Sequence, residues 1–170
     1  MKKSFSANRL AVDAMLTGTA MILSYVESLI PLSFAIPGIK MGLANTPVVF
    51  ALFRIGKADA FFISLLRVIL LSALFGTFIS FLYSFSGAFT AYLVMLILQK
   101  THRFRIFSVS VTGGVVHNLT QILVAMTVLR TDAIVFYLPS LLIAGIVSGA
   151  LIGIVSGVLI MRIPQKLTAF

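Results

Sequence analysis

Residues 66–87 read LRVILLSALFGTFISFLYSFSG. How this stretch is cut decides the fold. Uncut, it joins its apolar flanks into one element of roughly 40 residues, about twice what a bilayer crossing needs. Cut at Gly76, it gives two ordinary spans, 58–76 and 78–99. We cut it there, although the break is tight and carries no charge.

Outward from this cut, the rest of the chain reads the same way. Of the 170 residues, 60% are hydrophobic and only 10% charged. A soluble domain carries about 25% charged residues, so this chain cannot cover a water-facing surface. Further apolar runs lie at 10–30, 41–55, 107–129 and 133–161. The sequence therefore predicts an all-α integral membrane protein, a single domain over 1–170 built as a six-transmembrane-helix bundle. The start, MKKSFSANRL, resembles a signal-peptide n-region. Asp13 in the following run and the lack of an A-x-A-like site mark that run as a retained first helix.

The charge map gives an orientation. With six spans, Lys2, Lys3, Arg9, Arg54, Lys57, Lys100, Arg103, Arg105, Arg162 and Lys166 fall on one side. Only Lys40 and Arg130 fall on the other, and Arg67 lies within a span. This positive-inside bias predicts that both termini are cytoplasmic, with the protein multi-pass in the cell membrane. The net charge of +9 is scattered between apolar runs and forms no stripe for a duplex, so nucleic acid is not an expected partner. Membrane lipid is.

Small residues show where helices meet, because lipid supplies no hydrophobic drive for association. Gly145, Gly149, Gly153 and Gly157 recur every fourth residue on the sixth helix and make one flat stripe. Ser80, Ser84, Gly87, Ala88 and Ala91 form a second small face on the fourth. Ala7, Ala11, Ala14 and Gly18 form a third on the first helix. That surface packs inside the bundle or docks a second membrane protein, and we favour internal packing.

Polar groups at membrane depth are costly, and each is a functional candidate. In GGVVHNLTQILVA (113–125), Gly114, His117, Asn118, Gln121 and Ala125 follow helical spacing and share a face. That face makes a polar clasp between helices or contacts a ligand, and we favour a ligand. Arg67 cannot lose its charge and needs an anion. Among the four acids, Glu27 is the best placed, at the end of a stripe of Asp13, Thr17, Ala20 and Ser24. The pair is structural, or Arg67 with Lys40 attracts an anionic group. Tyr83, beside Ser84, is an interface aromatic or a cavity wall. In PGIKMGLAN (37–45), Pro37 and Gly38 make a turn, Gly42 permits close approach, and Lys40 and Asn45 flank the entrance to the second helix. Lys40 is a plain loop residue or the lip of a pocket.

Much chemistry is excluded. Cysteine is absent, no HExxH occurs, and the two histidines lie in separate segments, so no metal site is expected. No phosphate loop of the GxxxxGK[ST] type exists, so the chain itself should not hydrolyse ATP. Mg²⁺-dependent diphosphate chemistry wants clustered carboxylates, and along the sequence the four acids are isolated.

PGIKMGLAN (37–45), LRVILLSALFG (66–76), FLYSFSG (81–87) and GGVVHNLTQ (113–121), in this order, resemble a family of small bacterial membrane proteins. That family is labelled heptaprenyl diphosphate synthase component I or Gx transporter. Its size and six-helix layout are similar to the substrate-binding S components of energy-coupling factor transporters. This resemblance implies a vitamin-like or anionic metabolite as ligand. It also implies a transmembrane coupling protein and ATPase subunits as partners, with the coupling protein on Ala7, Ala11, Ala14 and Gly18. The leading expectation is a substrate-binding uptake subunit without catalysis or cofactor. Its candidate contacts are Glu27, Lys40, Asn45, Arg67, Tyr83, Ser84, His117, Asn118 and Gln121. The synthase label implies the alternative, an accessory membrane subunit of polyprenyl diphosphate or quinone metabolism. Prenyl synthases carry DDxxD motifs, and none stands here. The accessory role predicts an apolar groove open to lipid rather than an aqueous pocket. A third reading is a structural partner without a small ligand.

Overall fold

The computed structural model describes residues 7–29 and 42–165. Lys40 and the turn at Pro37 and Gly38 lie outside them. The described residues form helices α1 (Ala7–Leu29), α2 (Thr46–Arg54), α3 (Lys57–Phe75), α4 (Phe78–Lys100), α5 (Ile106–Leu129) and α6 (Leu138–Arg162). Short 3-10 turns at Leu43–Asn45 and Asp132–Tyr137 lead into α2 and α6. The second turn accounts for the long final run, whose first residues are not α-helical.

The cut at Gly76 is real. Thr77 starts α4 with a reciprocal cap: its hydroxyl accepts from the Ser80 N–H at 3.2 Å, and its own N–H donates to Ser80 Oγ at 2.8 Å. A Cβ on Gly76 would lie 2.7 Å from Ser80 Oγ and 2.9 Å from Ser72 Cα. The turn is closed by local hydrogen bonds, which is why it needs no charge. Ser80 therefore caps a helix rather than joining the small packing face of α4.

Five helices are long and apolar enough to cross a membrane: α1, α3, α4, α5 and α6. The chain is an all-helical membrane protein. The expected second span is the exception. With its lead-in it runs only from Leu43 to Arg54, about 18 Å at 1.5 Å per residue. Gly42, just before the lead-in, is in the left-handed region at φ 73°, outside helical geometry. Residues Thr46–Leu52 of α2 are all buried, so this short helix is a central plug wrapped by the others.

Side-chain bonds align the ends. Tyr92 Oη donates to Lys57 O at 2.9 Å, Gln99 Nε2 to Leu52 O at 2.9 Å, and Arg54 Nη2 to Ile163 O at 2.6 Å. The start of α3 and the ends of α2, α4 and α6 thus share one end of the bundle. Arg54, Lys57, Lys100 and Arg162 gather there, and we call it the basic end. The close-packed core lies in this half. It joins Val49 and Leu52 of α2 to Ile63, Met95, Val109 and Ile152 from the four helices around it.

The glycine stripe of α6 meets α5, with one correction. A Cβ on Gly149 would sit 2.7 Å from both Ser110 O and Val111 Cα, and one on Gly153 would sit 3.0 Å from Phe107 Cα. Gly145 opposes Gly114 backbone to backbone. Gly157 has nothing within 4 Å of such an atom. The seam closes along three glycines and opens at the fourth, because α5 begins at Ile106 and, among the described residues, no helix continues beside Gly157.

A second correction concerns α1. Its polar stripe turns inward: Ala20 is fully buried and Thr17 nearly so. Ala7, Ala11 and Ala14 are exposed, and a Cβ on Gly18 would meet nothing within 4 Å. The expected internal packing of this face does not occur among the described residues.

Candidate functional site

Three features have the chemistry of a site. The first is at the basic end. Arg9 of α1 grips Asp59 of α3 through two parallel bonds, Nε to Oδ1 and Nη2 to Oδ2, each 2.6 Å. Such a fork has the strongest geometry an ion pair can take. Asp13, one turn along α1, lies near enough to Asp59 for the two charges to act on each other, and its Oδ1 is buried without a hydrogen-bond partner. Gly56 makes room, since a Cβ there would overlap Asp59 Oδ2. This corrects the expectation that the acids stand apart. The two carboxylates are 46 positions apart in the chain, and only the packing of α1 on α3 joins them.

The second feature is the polar interior. Arg67 is 8% exposed, and its Nε has no hydrogen-bond partner. It stands ten residues along α3 from Lys57, about 15 Å from the basic end. That is mid-depth for a ~30 Å hydrocarbon layer. The charge acting on it is Glu27 of α1. Glu27 also accepts the Leu43 N–H through Oε1, which ties the end of α1 to the lead-in of α2. Asn45, in that lead-in, places Nδ2 beside Gly42, where a Cβ would lie 3.7 Å from it. The Tyr83 hydroxyl is buried without a hydrogen-bond partner. The ring is therefore not an interface anchor with its polar end in water. Ser84 is half-buried beside it.

The α5 stripe divides between two neighbours. Asn118 Nδ2 donates to Leu141 O on α6 at 2.7 Å, which is a clasp. His117 and Gln121 lie against Gly87 of α4, where a Cβ would be 3.1 Å from His117 Nδ1 and 3.0 Å from Gln121 Cγ. Thr90 and Thr120 hydroxyls add a 2.8 Å bond across the same α4–α5 seam. The shared face therefore holds α5 to both α4 and α6, and Asn118 is committed to that task.

The third feature is an open groove of about 500 Å³ at the basic end. It is lined by Phe53, Phe104, Phe107, Gly157 and Met161, among other apolar residues, with Arg105 as its charged member. A water-sized cleft between α3 and α4 is lined by Ser64, Val68 and Phe85. Neither cavity is lined by Arg67, His117 or Asn118. The groove was not among the sequence candidates. Its one signal was the final glycine of a stripe that outruns its partner helix.

A family model described as heptaprenyl diphosphate synthase component I matches residues 16–159. The chain belongs to this family. The match runs from the middle of α1 to the last turns of α6 and includes Arg67, the α5 stripe and Gly157. Arg9 and Asp13 precede it, whereas Asp59 falls within it. No curated protein and no solved structure matches the chain. The family description agrees with the accessory-subunit reading and gives no support to an uptake subunit.

Proposed function

We propose that the chain is a non-catalytic membrane component of polyprenyl diphosphate metabolism, working with a separate prenyl-transferring subunit. The observation that carries this reading is the Arg9–Asp59 fork. Activation of an allylic diphosphate by Mg²⁺ calls for carboxylates with free oxygens. Here the carboxylate pair of Asp13 and Asp59 has a guanidinium on both Asp59 oxygens. Among the described residues no group of three acidic or histidine side chains stands together to hold a metal. In this reading the acids for chemistry belong to the partner. The basic end faces the cytoplasm, where the charge bias places it and where a soluble partner meets it. Ala7 and Ala11, exposed at the start of α1, are available for that contact.

The test is reconstitution. The chain alone forms no polyprenyl diphosphate. Added in proteoliposomes to the second component, it raises product formation severalfold and carries that subunit to the membrane fraction. If the partner neither binds nor changes rate, the reading is wrong.

Arg67 favours a second reading, capture of an anionic small molecule for uptake. A buried guanidinium with an unpartnered Nε is suited to an oxyanion. A charge-assisted bond of about 1.5–3 kcal/mol makes the expected loss for Arg67→Ala tenfold or more in ligand affinity. Folded Arg67→Ala and His117→Ala proteins that bind a co-purified anion as tightly as the parent would exclude it.

A further inference from the structure

We propose that the groove at the basic end binds the chain of an isoprenoid diphosphate, with its diphosphate on Arg105. The proposal rests on the membrane-component reading and gives it a site.

Three observations point there. The first is the interrupted glycine stripe. Gly145, Gly149 and Gly153 are filled by α5, but Gly157 faces open space. Among the described residues no helix lies above Gly157, and it forms part of the floor of the groove. The second is the wall chemistry. Phe53, Phe104 and Phe107 with Met161 present broad, adaptable apolar surface and no hydrogen-bonding demand from their side chains. The third is charge complementarity. Arg105 precedes the first turn of α5 and lines the groove, and Arg162 follows Met161 at the end of α6. An apolar trough ending in a guanidinium matches a molecule with one apolar chain and an oxyanion head. A phospholipid also has an anionic head, but it brings two chains. The ~500 Å³ available is that of an ordinary single-ligand site.

Gly157 makes the test clean. Because a Cβ there meets nothing within 4 Å among the described residues, Gly157→Phe should fill the groove while keeping the parent's gel-filtration profile, which is checked first. Ile143→Phe, on the outward side of α6 at 63% exposure, is the matched control. Binding of radiolabelled farnesyl diphosphate is measured on the full chain in phosphatidylcholine nanodiscs, with no partner present. The parent and Ile143→Phe proteins bind it. Gly157→Phe loses at least tenfold in affinity, and Arg105→Gln loses about tenfold, the range of one charge-assisted hydrogen bond. Farnesol binds more weakly than its diphosphate.

Three results would overturn the proposal: no binding by the parent, equal binding by Gly157→Phe, or full displacement by phosphatidylglycerol. The component reading is scored separately, by stimulation of the partner with the parent chain. Stimulation together with normal Gly157→Phe binding removes the groove and spares that reading. Groove binding without stimulation removes the reading and keeps the site.

Discussion

Arg9→Ala will destabilise the protein by about 1–3 kcal/mol, between the ranges of an exposed and a fully buried ion pair, because the Arg9 side chain is itself 19% exposed. Asp59 is 3% exposed and receives both Arg9 bonds. Removing the guanidinium leaves a desolvated carboxylate with a second carboxyl, Asp13, beside it. Arg9 then no longer offsets the repulsion between the two carboxyl groups, so the loss exceeds that of the two hydrogen bonds. The Arg9→Met/Asp59→Leu pair should recover most of the deficit, because replacing both ions by apolar groups removes the stranded charge. Thermal unfolding in one detergent, comparing parent, single and double variants, checks this. A single variant that unfolds with the parent would show that the fork contributes nothing. A double variant as poor as the single would place its role elsewhere than in charge pairing.

Gly149→Val will be the most damaging single change in the α5–α6 seam. The new Cβ would fall 2.7 Å from Ser110 O and from Val111 Cα, both backbone atoms. A side chain can swing away from such an intrusion, but a helix backbone cannot. The helices must part, and overpacking of this kind costs about 1–3 kcal/mol even where side chains can adjust. Separation also weakens the Asn118–Leu141 clasp at 2.7 Å. The expected result is poor recovery of monodisperse protein on gel filtration and a large fall in unfolding temperature. Gly157→Val, two turns further along the same stripe, should keep the parent's gel-filtration profile and unfolding temperature, since its Cβ meets nothing within 4 Å among the described residues. Equal effects at the two positions would mean that the seam is not where the structure puts it.

These two cases show what was legible in advance. The glycine stripe was visible as a four-residue period, because a helix puts i and i+4 on one face whatever surrounds it. Which glycines met a partner was not visible, because that depends on where α5 begins. The acid pair was invisible for a related reason. Asp13 and Asp59 belong to different helices, and no spacing rule joins residues that far apart. Asn118 was legible as buried and polar, but its carbonyl partner on α6 was not. The short second helix was foreseen as short, although its role as a plug was not. For the alanine face of α1 the preference for internal packing failed and the docking alternative stays open, since small residues in a membrane helix indicate close contact without saying with what.

The sequence by itself determined the solvent and the long helices. Apolar composition and run length are set by the bilayer, and each helix satisfies its own backbone. It also determined the basic end, because the charges sit at the ends of those runs. The tertiary structure decided everything that required two helices to meet: the Arg9–Asp59–Asp13 cluster, the Glu27–Leu43 tie, the division of the α5 stripe, and the groove beyond Gly153. Local periodicity fixes which face of a helix is special. Only packing fixes what that face touches and where it is left open.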